Sequence, residues 1–268
     1  MCYMQIEISP DFSIEYSRAG NGAPIVFLQA FPLSEEMWQL QTLALQKEYP
    51  VIALNARGFG NTSPFTSTPS VEQMAHDLND FLDALEIAEP IVLCGLSMGG
   101  YTALNFARLY PHRLRALILC DTRAEADDEE TKAKREINIQ LLREKGSRAL
   151  VEKMIPVLLG ETTRKENPQL VKRVIEWGSA YEGSTLIAAL EAMRDRPDAR
   201  DWLHQINIPT LLIFGEEDAL APPQVIETLQ NGIENSQLAK IQRAGHLSNL
   251  EHCEKFNEVL LEFVRALN

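Results

Sequence analysis

The apolar residues of this chain fall into two rhythms. At the N-terminus "MQIEIS" and "FSIEYSRAG" alternate apolar and polar positions, the period of a strand with one face in water, and Pro10 and Asp11 between them mark a tight turn. A short antiparallel ribbon is expected there. Six apolar runs of strand length follow, "PIVFLQ", "PVIALN", "PIVLCG", "LRALILC", "PTLLIFG" and "QLAKIQ", with helix-like spacers between them. Near-continuous hydrophobicity means strands buried on both faces, and alternation with helices means a parallel sheet with crossover connections. Val71, Met74, Leu78, Phe81, Leu82 and Leu85 keep helical spacing, as do Phe256, Val259, Leu260, Phe263, Val264 and Leu267. Each of these segments has one face to lay on the sheet. The expected fold class is α/β, a mostly parallel eight-stranded sheet with helices on both faces.

One interval breaks the rhythm. Between "LILCD" and "IPTLLIFG" lie roughly 85 residues of helical pattern, far more than one crossover helix needs. Residues 122–200 are therefore expected to form an inserted helical cap, with 1–121 and 201–268 as the core domain. The cap opens on "RAEADDEETKAKRE", a charge run that suits a solvated loop and helix start.

Composition narrows the partners. With 25 Lys and Arg against 38 Asp and Glu, the net charge of -13 argues against nucleic acid or an anionic membrane, which both call for clustered cations. A small-molecule substrate is the expected partner; oligomeric state has no signal in the sequence. No run approaches the roughly 18 apolar residues of a membrane span, and "MCYMQIEISPDF" lacks the basic-then-apolar pattern of a secretory signal. The expectation is a soluble, cytoplasmic protein. Cys2, Cys94, Cys120 and Cys253 are scattered without C-x-x-C spacing, which favours free thiols over a disulfide or zinc site. No metal cluster, Walker loop or dinucleotide fingerprint occurs, so neither metal nor cofactor is expected.

Candidate chemistry centres on "CGLSMGG". The strand run stops at Gly95, and a helical pattern, Tyr101, Leu104, Ala107 and Arg108, begins within a turn of Ser97. Gly95-Leu96-Ser97-Met98-Gly99 has the G-x-S-x-G spacing of a nucleophile elbow, a strained strand-to-helix turn that projects the hydroxyl and leaves little room for side chains two residues away. A serine hydroxyl is a weak nucleophile at neutral pH, so the elbow requires a base to take its proton and an acid to orient that base. His246 lies just past "LAKIQ", where Gly245 lets the loop turn. His76, His112, His204 and His252 sit where solvated or structural roles suit them. Asp218, just past "PTLLIFG", is the matching acid; Glu216 and Glu217 beside it and Asp121 at the end of "LILCD" are its rivals.

Through "GLSMGGYTALNFARLYPHRL", "GEEDALAPP" and "AGHLSNLE" the chain resembles the α/β-hydrolase superfamily over essentially its whole length. "FLQAFPLSEEMW" is similar to the "HGFPL...W" segment of enol-lactonases, C–C bond hydrolases and cofactor-free esterases, nearest to the 3-oxoadipate enol-lactonase-like group. "LNARGFGNTS" is similar to the family's D-x-R-G-x-G-x-S loop. The resemblance implies the α/β-hydrolase fold and a Ser97, Asp218, His246 triad in the family's chain order. It also implies an oxyanion hole built from the backbone N–H groups of Phe31 and Met98. Two departures stand out. Gln29-Ala30 replaces the usual His-Gly, so that Gln29 is expected to hydrogen-bond in the imidazole's place or to meet substrate. Asn55 replaces the usual Asp beside Arg57, in a loop expected to be structural. Trp38 reads as packing, Trp177 as cap packing or a substrate contact, and Met154, Tyr181 and Met193 as pocket lining or cap core. The expected activity is a serine hydrolase cleaving a carboxylic ester, thioester or lactone through an acyl-enzyme. The alternatives are a C–C bond hydrolase or enol-lactonase of a catabolic pathway, and a non-catalytic ligand-binding member of the superfamily.

Overall fold

In the computed structural model, which describes residues 3–267, the two alternating segments and the six apolar runs are all strands of one sheet. They are β1 (Tyr3–Ser9), β2 (Phe12–Ala19), β3 (Ile25–Leu28), β4 (Val51–Leu54), β5 (Ile91–Leu96), β6 (Leu114–Cys120), β7 (Thr210–Gly215) and β8 (Ser236–Ile241). The order across the sheet is β1-β2-β4-β3-β5-β6-β7-β8. β1 pairs antiparallel with β2, and β2 with β4, while every other pair is parallel. This is the expected class. β1, on the edge, alternates exposed and half-buried positions, whereas β3, β4, β5 and β7 are buried throughout because helices cover both faces.

Helices α1 (Gln39–Leu45), α2 (Val71–Ala84), α3 (Met98–Leu109), α4 (Glu129–Leu158), α5 (Glu161–Glu166), α6 (Pro168–Ser179), α7 (Gly183–Arg194), α8 (Pro223–Gly232), α9 (Ser248–Glu251) and α10 (Cys253–Ala266) complete the chain. Side chains alternate across each strand, so Val26 and Leu28 join Phe81 of α2 and Phe106 of α3 in one core, while Ile25 and Phe27 join Leu45 and Phe256 in the other. Trp38 belongs to the second core: it is fully buried, its ring stacked 4.5 Å from Phe27 and tilted 6.1 Å from Phe256. α2 starts where Ser70 accepts the N–H of Gln73 at 3.0 Å, satisfying one orphan donor of the first turn. Four helices, α4 to α7, fill the interval between β6 and β7. α4 is bent at Gly146, whose φ of 76° and ψ of 178° interrupt the helix. Cys94 and Cys120 are buried free thiols, Cys253 is a half-buried one, and Cys2 lies outside the described residues. Among the described residues no helix is long and apolar enough to cross a membrane.

The loops after β3 and β4 are tied by a buried polar cluster. The Glu35 N–H donates to Asn55 Oδ1 at 2.9 Å, and Asn55 Nδ2 donates to Glu15 Oε2 at 2.9 Å. An aspartate at position 55 could not make the second bond and would set a carboxylate against Glu15, which explains the asparagine. Arg57 grips Asp77 through two bonds, of 2.6 and 2.7 Å, and lies 3.8 Å over the Phe12 ring, so its role is to anchor the loop. Glu35 accepts a bond from Ser17 at 2.9 Å and is 1% exposed. Burial pushes its carboxyl up to about 7, with the charges of Glu15 and Glu36 adding to the rise and the Ser17 hydroxyl opposing it. A raised folded pKa gives a contribution that is complete below the ordinary value and lost as pH rises through about 7. The loss is about 3 kcal/mol on the scale of 1.36 kcal/mol per unit. Glu35→Gln keeps an acceptor for Ser17 and is expected to raise Tm by about 5 °C at pH 8 and far less at pH 5, as read by circular dichroism melting.

Candidate active site

Ser97 directly follows β5 and caps the start of α3 with φ 53° and ψ -111°, a conformation that strains any L side chain. The surrounding backbone enforces it. Ser97 N–H donates to Cys120 O at 2.9 Å, and its carbonyl accepts from the Tyr101 N–H at 3.1 Å and the Thr122 hydroxyl at 2.9 Å. The flanking glycines are required by close approach. A β-carbon on Gly95 would overlap the Gly99 carbonyl, and one on Gly99 would overlap the Leu28 carbonyl.

His246 is 3% exposed and sits between the serine and an acid. Its Nε2 lies 2.8 Å from Ser97 Oγ and its Nδ1 2.9 Å from Asp218 Oδ2. Since an ionised carboxylate only accepts, Nδ1 carries the proton, and Nε2 is left to accept the serine hydroxyl. The other Asp218 oxygen accepts the Leu220 N–H at 2.7 Å, which fixes the carboxylate plane.

Asp121, the rival acid, makes different bonds. It accepts the Gly215 N–H at 2.8 Å and the Ser248 hydroxyl, bracing the ends of β6 and β7 against α9. Burial above all, then the Asp218 charge, pushes its carboxyl well above the usual range. Glu216 is exposed, and Glu217 accepts the backbone N–H and hydroxyl of Thr162 in α5. His76 bonds to the Tyr110 hydroxyl at 2.6 Å, away from Ser97.

Two expected substrate contacts lie elsewhere. Gln29 is 2% exposed with both ends of its amide engaged, Nε2 donating to Leu33 O at 2.7 Å and Oε1 accepting from Ala56 N–H at 3.1 Å. It cross-links the loops after β3 and β4 and is not among the residues that line the cleft at Ser97. Trp177 on α6 packs against the second core, with the Arg173 guanidinium 5.7 Å over its ring, and is not among the residues that line the cleft at Ser97. Tyr181 likewise turns inward, onto Phe59 at 4.9 Å. Met154 and Met193 do line the cleft, as does Phe31. Met98 opens α3, so its N–H precedes the helix's own hydrogen-bond ladder.

The cleft has a volume of about 520 Å³ and runs from Ser97 and His246 to the facing side of α4. Glu251, which the motif reading overlooked, fastens the two walls together. Its carboxylate accepts the N–H groups of Gly245 and Leu247 at 3.0 and 3.2 Å, on either side of His246, and that of Gly160 at 2.8 Å, beyond the end of α4. Burial raises its pKa despite those donors. Its place three residues after Ser248, the S-x-x-E spacing of a helix start, was the available signal.

A model of the alpha/beta hydrolase fold matches residues 23–252. The 3-oxoadipate enol-lactonase 1 of Acinetobacter baylyi is 29% identical, over 95% of this chain and 93% of its own. Among solved structures, a thermophilic esterase from Thermogutta terrifontis is 34% identical with a TM-score of 0.93, covering 100% of this chain and 99% of the other. An enol-lactonase from Burkholderia xenovorans LB400 is 25% identical with a TM-score of 0.89, covering 97% and 99%. A family match across most of the chain, on a sheet of this order, identifies the chain as a member of the α/β-hydrolase family and an α/β-hydrolase enzyme.

Proposed function

We propose that the protein is a serine hydrolase that cleaves a carboxylic ester, thioester or lactone through an acyl-enzyme on Ser97. The observation that carries this is the unbroken chain from Ser97 Oγ through His246 to Asp218, at 2.8 and 2.9 Å. Ser97 Oγ attacks the carbonyl carbon while its proton passes to His246 Nε2, and Asp218 stabilises the imidazolium. The Phe31 and Met98 N–H groups receive the oxyanion. Collapse expels the leaving group, an alkoxide or thiolate, which takes the proton from Nε2. A water then gives a proton to Nε2 as it attacks the acyl carbon, and Ser97 leaves by taking that proton from Nε2. The relatives named as esterases and as enol-lactonases support open-chain esters and lactones as substrates to try.

A fluorophosphonate probe is expected to add one adduct to the intact protein, mapped by peptide mass spectrometry to Ser97 and absent from Ser97→Ala. Labelling at another serine, such as Ser248, would move the nucleophile; no labelling and no Ser97-dependent turnover of an ester and lactone panel would favour a ligand-binding role.

The two buried aspartates give a second test. Asp218→Asn removes the group that selects the competent imidazole tautomer and is expected to lower kcat by at least about a hundredfold with the fold intact; the loss in the serine-protease example is roughly 10⁴-fold. Asp121→Asn, which still accepts the Gly215 N–H, is expected to stay within about tenfold. Kinetics on both variants, with circular dichroism to report folding, separates them, and the reverse ranking would transfer the acid to Asp121.

A further inference from the structure

The protein as a whole is acidic, yet the wall of the cleft opposite Ser97 is not. Thr131, Lys134, Arg135 and Asn138 follow helical spacing on the first half of α4, and Lys153 comes from its second half. Lys153 Nζ donates to Asn138 Oδ1 at 2.8 Å, closing the bend at Gly146, and has two more donors to give. Arg135 reaches deeper. Its Nε and Nη2 meet Asp127, while its Nη1 meets only the Met193 sulfur at 3.6 Å, a weak acceptor that itself lines the cleft. Asp127 is shared with a second guanidinium, that of Arg196, which lies 4.1 Å over the Tyr101 ring.

The side chains of Asp127 and Arg196 are 1% and 2% exposed, and that of Arg135 is 15% exposed. Two guanidinium ions share the one Asp127 carboxylate, an arrangement that an anion in the cleft at Arg135 would favour. Arg196 is held in place by the Met193 and Glu125 carbonyls at 2.8 and 2.6 Å, so that Arg135 is the guanidinium of the two that faces the cleft. Arg123, also on the cleft, spends an Nη2 donor on the Leu220 carbonyl.

We propose that the cleft is built for a substrate carrying a carboxylate in addition to its scissile carbonyl, with Arg135 and Lys153 as the receptors that set this specificity. The proposal rests on the reading of Ser97 as nucleophile for its kinetic readout, and on direct binding for a readout that does not need turnover.

The experiment compares mono-p-nitrophenyl glutarate with its neutral near-isostere p-nitrophenyl 5-oxohexanoate, with spontaneous hydrolysis subtracted. The ratio of kcat/KM, anionic over neutral, is expected to be at least about tenfold in 20 mM NaCl and to fall several-fold in 500 mM NaCl, because partly exposed charges are screened. Lys153→Gln, at an exposed site, and Arg135→Gln, which leaves Asp127 paired with Arg196, are each expected to lower that ratio at least threefold. In parallel, calorimetry on Ser97→Ala is expected to detect glutarate but not glutaramide, with affinity reduced by adding Arg135→Gln. A wild-type ratio near one, or equal losses on both esters in both variants, overturns the proposal while leaving the hydrolase reading in place. Glutarate binding without any Ser97-dependent turnover keeps the anion site and overturns the hydrolase reading. Neither binding nor turnover overturns both.

Discussion

Parallel alignment is the constraint on which the site depends. β5, β6, β7 and β8 lie side by side and point the same way, so their C-terminal ends form one edge, with neighbours about 4.8 Å apart. Ser97 directly follows the first of these strands and Asp121 the second, Asp218 lies in the loop after the third, and His246 lies past the fourth. Reversing any of them would send its loop to the opposite side of the sheet. Helical crossovers keep all four parallel and cover both faces of the sheet, which is why β5, β6 and β7 are so uniformly apolar. The strained turn at Ser97 survives because Cys120, Tyr101 and Thr122 hold it from three directions.

The loops on that edge are not left to themselves. Glu217 holds α5 from the loop that carries Asp218, Glu251 holds Gly160 and both neighbours of His246, and the Leu247 N–H reaches Leu158 O at 3.1 Å. Leu158 also lines the cleft, so the same short stretch of chain shapes the cleft and supports the histidine loop. A shift of the α4 to α7 helices is thereby coupled to the imidazole that must stay within hydrogen-bond reach of Ser97.

Four buried or nearly buried acids near the site show how far partners outweigh residue type. Asp218 faces an imidazole, Asp127 two guanidiniums, Glu251 three backbone donors, and Asp121 one backbone donor and a hydroxyl with another aspartate close by. Glu251 and Asp121 are pushed toward protonation by burial, which their hydrogen bonds to neutral donors only partly offset.

The sequence by itself determined the strands, the helices that flank them and the serine turn, since those follow from local periodicity and from spacing within a few residues. "PIVLCG" and "PTLLIFG" are strands wherever they are read, and G-x-S-x-G at a strand end carries its own steric reason. His246 and Asp218 were legible as loop residues after strands, though Asp121 stood equally near a strand end until the sheet assigned each carboxylate its partner. Gln29 and Trp177 show where local reading stops. Whether an amide meets a ligand or spans two loops, and which way an indole on an amphipathic helix faces, is set by residues far away in the chain. The same holds for Asp127 and Arg135, which lie in a run that reads as solvated charge, and for Arg196, which no motif marks. Only folding, which brings residue 127 beside residue 196 and excludes water from both, turns them into one buried cluster.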